Sequence, residues 1–98
     1  MTLRIAPARP SDLDALVVLE EAAFPGDRMS RRALARNIQS QSLGFLVARE
    51  GGHLVGHALI AFRKGSALAR LYSLAVKPGA TGQGLGRKLL AAAERHAR

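Results

Sequence analysis

Three features of this 98-residue chain predict an α/β domain whose sheet is mainly antiparallel. Helical apolar spacing occupies the segment before Ser40 and recurs after Leu85. Strand-like apolar runs fill the middle, between Phe45 and Val76. The turns joining those runs are too short for the helical crossover that parallel strands require.

Leu3-Arg4-Ile5 reads as a first strand, closed by Pro7 and Pro10. Ser11 is placed to cap a helix from Asp12 to Ala23, with Asp12 and Asp14 complementing its dipole. Leu13, Leu16, Val17 and Leu19 form the apolar stripe, and Pro25-Gly26 ends it. Ser30 caps a second helix in which Leu34 and Ile38 lie one turn apart, while Arg31, Arg32 and Arg36 point away. Phe45 to Ala48 and His53 to Phe62 are strands joined through Gly51-Gly52, a hairpin signal because tight turns need positive φ. Lys64-Gly65-Ser66 turns the chain into a third strand of this meander, Leu68 to Val76, stopped by Pro78. Leu85 to Arg98 is helical, with Leu85, Leu89 and Ala92 on one face, Leu90 and Ala93 widening it, and Glu94 one turn before Arg98. The predicted order is β-α-α-β-β-β-α.

The apolar fraction of 48% and charged fraction of 22% are those of a folded soluble domain. No stretch is long and apolar enough to span a bilayer, and the start lacks the basic-then-apolar build of a secretory signal. Cysteine is absent, which excludes disulfides, thiolate nucleophiles and thiolate metal sites. The expectation is a cytoplasmic protein without membrane contact. A net charge of +8 suits an anionic partner. Its main sources are Arg28, Arg31, Arg32 and Arg36, and the terminal cluster Arg87, Lys88, Arg95 and Arg98. A small basic nucleic-acid-binding domain is one reading. Phe24, Phe45, Phe62 and Tyr72 are too few for a base-stacking platform, so solvated basic helix faces are favoured.

The segment with the most chemistry is Lys77-Pro78-Gly79-Ala80-Thr81-Gly82-Gln83-Gly84-Leu85-Gly86-Arg87-Lys88. A strand feeding a glycine-rich turn that opens a helix suits phosphate. The first helical N–H groups lack internal partners, the dipole makes that end positive, and glycines let the backbone approach closely. Arg87 and Lys88 add charge in the same turn. A dinucleotide fingerprint would need a third glycine where Arg87 stands, and a P-loop would need Gly-Lys-Ser/Thr. Both also need a parallel sheet. A turn that merely caps a helix needs fewer glycines.

Val76-x-Pro78 followed by Gly82-Gln83-Gly84-Leu85-Gly86-x-x-Leu89-Leu90 resembles the acetyl-CoA signature Q/R-x-x-G-x-G/A of the GNAT N-acetyltransferases, above all the RimI-like ribosomal-protein-alanine acetyltransferases. The resemblance runs through the chain in order. It implies a single GNAT-like domain over residues 1–98, cut short, which lacks the C-terminal strands and helix of the full fold. It further implies an acetyl-CoA-dependent N-acetyltransferase with acetyl-CoA as co-substrate. The acceptor would be a primary amine: a protein N-terminus, a lysine or a small molecule. The backbone amides of Gly82, Gln83, Gly84, Leu85, Gly86 and Arg87 would cradle the pyrophosphate. Leu74, Ala75 and Val76 would pair with the pantetheine arm, and the Val76 amide would polarise the thioester carbonyl. Thr81 stands at the Gln/Arg position and Ala80 beside it, which removes a long polar side chain from the cofactor site.

The resemblance leaves the general base unidentified. Arg70 stands where histone-type relatives carry a glutamate, and the base and acid of RimI-like relatives follow the signature helix. The strand ending at Val76 would be left as a sheet edge, to be completed by more chain or by a second copy in a homo-oligomer. A natural remnant that cannot catalyse is the third explanation. The alternative function is therefore a non-catalytic GNAT-like module that binds CoA or a protein partner. Elsewhere, His53 and His57 are expected on one side of a strand with no metal-binding partner near in sequence, and no metal site is expected. Tyr72 reads as a half-buried strand residue near the acetyl site. Glu20 and Glu21 are expected to be solvated, though they lie on the acceptor side in relatives. The loop Pro25 to Ser30 is the better candidate for acceptor contact.

Overall fold

The computed structural model describes residues 3–26, 28–40, 43–62, 69–79 and 84–97. It contains β1 (Leu3–Pro7), a 3-10 turn (Pro10–Asp12), α1 (Leu13–Ala23), α2 (Arg31–Gln39), β2 (Leu43–Glu50), β3 (His53–Phe62), β4 (Ala69–Val76) and α3 (Leu85–Ala97). The strands form one antiparallel sheet in the order β1-β2-β3-β4, as the short turns require. Gly51 and Gly52 close the β2–β3 hairpin with φ of 59° and 86°, values that an L side chain resists. The Lys64-Gly65-Ser66 turn, Leu68, Ala80 to Gln83 and Arg98 lie outside the described residues, as does the side chain of Glu94.

Both faces of the sheet are covered. On one, Leu85, Leu89, Ala92 and Ala93 of α3 pack on Leu46, Ala48, Val55, Ala58 and Ile60. On the other, Leu16 of α1 and Leu34 of α2 meet Phe45, Val47 and Leu59. The two central strands therefore carry continuous apolar runs, whereas a sheet with one wet face would alternate. Leu90 does not widen the buried face of α3; it is exposed.

The start of α1 departs from the predicted cap. Ser11 sits inside the 3-10 turn, and Asp12 occupies the N-cap position. Asp12 accepts a hydrogen bond from the Arg9 amide (2.8 Å) and pairs with Arg49 of β2 while almost fully buried. A carboxylate that can satisfy the local backbone and a cation across the sheet wins over a hydroxyl that can do only the first. Ser30 caps α2 as expected, its Oγ accepting from the Ala33 amide at 3.1 Å. Ser30→Ala should lower the unfolding free energy by about 1 kcal/mol, measurable by urea titration.

Two strands carry bulges. Val55 is the extra residue of β3, between the pairs Ala48↔Gly56 and Arg49↔Leu54. Tyr72 is the extra residue of β4, between Leu59↔Ser73 and Ile60↔Leu71. Each re-aims the side chains around it. Across the first bulge, His53 ends exposed and His57 fully buried, so their spacing of four no longer implies a shared environment. At the second, Tyr72 is 59% exposed, which corrects the half-buried expectation.

Candidate functional site

The residues singled out for cofactor binding fall at two adjoining places. Leu74, Ala75 and Val76 end β4, and Leu85, Gly86 and Arg87 begin α3. Gly82 and Gln83 lie outside the described residues. Gly84, directly before the helix, has φ of 69°, so the turn into α3 uses a backbone state open to glycine. The Lys88 amide closes the first helical turn on the Gly84 carbonyl at 3.1 Å. Amides earlier in that turn have no acceptor within the helix. Leu85 is buried and anchors the helix start, while Arg87 and Lys88 are exposed beside it.

Helix and strand approach closely here. A methyl placed on Gly86 would lie 3.8 Å from both Leu74 Cδ2 and Val76 Cγ2. The start of α3 is thus held against the end of β4. The backbone of β4 has a defined polarity. The Lys77 amide donates to the Val55 carbonyl at 2.8 Å and so faces β3. Successive residues of a strand turn their amides to opposite lateral sides, and Val76 pairs with Gly56, Ala75 with His57 and Leu74 with Ala58. The amides of Val76 and Leu74 therefore face away from β3, toward the sheet edge. Ala75, almost fully buried, turns its amide to β3.

An open groove of about 490 Å³ lies between the end of α1 and β4, lined by Glu20, Phe24, Arg28, Met29, Tyr72, Ser73 and Leu74. It brings Arg28 and Met29 of the loop after α1 to the same place as Tyr72 and Ser73 of β4. Glu20 is not solvated. It is 2% exposed, and His57 of β3 is 0% exposed. Glu20 Oε2 lies 2.8 Å from His57 Nε2, and Glu20 Oε1 accepts from the Met29 amide at 2.7 Å. Burial pushes the Glu20 carboxyl upward, but the His57 hydrogen bond, the Met29 amide and the charge of His57 outweigh it, so its pKa is lowered. Glu20 is held ionised. The His57 ring packs edge-on against Phe45 at 5.2 Å, and its Nδ1 is buried without a partner among the described residues.

Sequence distance hid this pair, because 37 residues separate its members. A signal existed: Glu20 follows Leu13 and Leu16 by seven and four positions, a core spacing, and His57 interrupts an apolar strand. Glu21 is exposed as expected. Arg70 lies in β4. Among the described residues no cluster of three or more His, Cys, Asp or Glu could hold a metal ion, and no helix is long and apolar enough to cross a membrane.

With this geometry in view, the comparisons agree in kind. Residues 13–98 match the family model described as Acetyltransferase (GNAT) family. The chain is 39% identical over 106 aligned positions to a mycothiol acetyltransferase of Propionibacterium freudenreichii subsp. shermanii, taking in 98% of the chain and 34% of that enzyme. A ribosomal-protein alanine N-acetyltransferase from Escherichia coli superimposes with a TM-score of 0.86 at 25% identity, covering 98% of this chain and 59% of that one. The GNAT-like decarboxylase GphF, in complex with isobutyryl-CoA, gives a TM-score of 0.81 at 30% identity over 90% of this chain and 55% of its own. The chain thus spans a third of the mycothiol enzyme and rather more than half of the two structural relatives. A family model matched from Leu13 to Arg98, on a sheet and helix arrangement shared with those structures, makes this chain a member of the GNAT acetyltransferase family.

Proposed function

We propose that this chain supplies the acetyl-CoA-binding part of an N-acetyltransferase that acts on a primary amine in the cytoplasm. The pyrophosphate would rest on the amides from Gly82 to Arg87, and the pantetheine arm would lie along the edge of β4. The observation that carries this reading is the shared placement of two unlike anchors. The helix start that can hold phosphate abuts the strand end whose Leu74 and Val76 amides face outward. An extended arm with amide groups could continue the sheet there by ordinary strand pairing. The thioester carbonyl could then receive the Val76 amide, where negative charge develops during acyl transfer. Relatives named for acetyl transfer, and one solved with an acyl-CoA, support the co-substrate. The amine would enter by the groove between Glu20 and Tyr72. The absence of cysteine fits a cytoplasmic location.

Calorimetric titration with acetyl-CoA tests the assignment. Gly84→Glu places a strained, negatively charged side chain beside the proposed phosphate, and binding should fall at least about ten-fold. Gly84→Ala introduces the strain without the charge and should keep most of the affinity. Equal affinities for wild type and Gly84→Glu would show that the pyrophosphate lies elsewhere. Acetyl transfer to a panel of amines then separates an enzyme from a module that only binds CoA.

A further inference from the structure

Resting on the reading above, we propose that Glu20 is the acceptor-binding residue: a carboxylate, oriented by His57 and the Met29 amide, that holds the acceptor's ammonium group in the groove beside Tyr72, Ser73 and Leu74. Glu20 lines the groove that also reaches Leu74, the residue whose amide faces the proposed acyl arm. A cation drawn to Glu20 would be brought next to the thioester.

Glu20 spends one oxygen on Met29 and the other on His57. An ionised carboxylate has about four acceptor sites, so capacity remains for a ligand N–H. Arg28 lines the same groove, with its guanidinium donating to the Pro25 carbonyl at 3.1 Å. A cationic acceptor is therefore repelled at the Arg28 side and attracted at the Glu20 side, which sets its direction of entry.

The side chains packed between α1, α2 and the sheet are mostly apolar, with Asp12 at the start of α1 the other buried carboxylate among the described residues. A bridge that served packing alone would be matched or bettered by two apolar side chains of similar volume. This bridge also leaves His57 Nδ1 buried and without a partner among the described residues, so it is poorly finished as a structural element. A charge kept at a groove wall, at that cost, is explained by a ligand of opposite sign.

The test uses the whole isotope-labelled chain, with and without CoA, titrated with alaninamide. Lactamide, which has a hydroxyl in place of the amine, is the control. Saturable shifts of the Met29 amide and the His57 ring are expected with alaninamide, with lactamide about ten- to a hundred-fold weaker. Glu20→Gln should weaken alaninamide by a similar factor and leave CoA affinity within two-fold, roughly the size of a remote effect. The double replacement Glu20→Leu with His57→Phe removes the charge and the imidazole together, leaving only the Met29 amide without its acceptor, and should lose the amine response in the same way. Equal responses to the two probes overturn the proposal, as does an undiminished response in either variant. No saturable shift at Met29 or His57 also overturns it, and that comparison needs no variant. A chain that responds to alaninamide but fails to bind CoA would retain the Glu20 assignment and sink the cofactor reading.

Discussion

Glu20→Leu is expected to lower the unfolding free energy by about 3–5 kcal/mol, the cost of removing one member of a buried pair. The loss is large because two groups are stranded together. His57 Nε2 and the Met29 amide lose their acceptor, and His57 already has one nitrogen without a partner among the described residues. For a domain of this size each kcal/mol shifts the melting temperature by roughly 4–8 °C, so the variant should melt far below wild type. Replacing both members, Glu20→Leu with His57→Phe, should cost much less than the sum of the single changes, because only the Met29 amide is left without its acceptor. Additive losses in urea titrations would show that the two side chains are not coupled. The pH dependence has a definite sign. The Glu20 carboxyl is lowered from its ordinary value of 4.5, so its contribution is present above pH 4.5 and is lost as pH falls through the lowered value. The gap between wild type and Glu20→Gln should therefore be full at neutral pH and close in the acid range below 4.5.

Leu89→Ala should cost about 2–5 kcal/mol, as expected for a fully buried leucine whose site cannot collapse freely. Leu89 fastens α3 to the sheet above Gly56. A methyl on Gly56 would stand 2.8 Å from Leu89 Cδ1 and 3.0 Å from the Ala75 carbonyl oxygen. Gly56→Ala alone should then cost about 1–3 kcal/mol through overpacking. In the double variant the new methyl enters space vacated by Leu89, and the total should fall short of the sum. The same experiment reports on the site. Gly56 pairs with Val76, so lifting α3 here separates the helix start from the end of β4. Acetyl-CoA affinity should fall in Gly56→Ala and recover in part in the double variant. Strict additivity in stability would show that the two positions do not share one space.

Much of the architecture was legible because it depends on neighbours in sequence. The Gly51-Gly52 hairpin, the Ser30 cap and the stripe of Leu85, Leu89 and Ala92 are local signals, and each holds in the structure. The failures arose where a distant residue competed with a local one. Ser11 had the right chemistry for a cap, but Asp12 could also reach Arg49. Tyr72 had the propensity of a half-buried strand residue, but the bulge between Leu71 and Ser73 turned it outward. Bulges leave no reliable mark in sequence, because they reflect how two strands keep register with each other.

Residue types and spacing were enough to establish the order of elements, the mainly antiparallel sheet and the strand–glycine–helix junction from Val76 to Gly86. Turn conformations, caps and helix dipoles are short-range properties of the backbone, so they can be read along the chain. Two things needed the assembled fold. One is which amides of Leu74, Ala75 and Val76 face the sheet edge, a matter of strand register. The other is the meeting of Glu20 with His57 under α1, where burial converts a surface-type glutamate into a fixed charge at a groove wall. Both depend on low-dielectric contacts between residues far apart in sequence, and such contacts exist only after packing has excluded water.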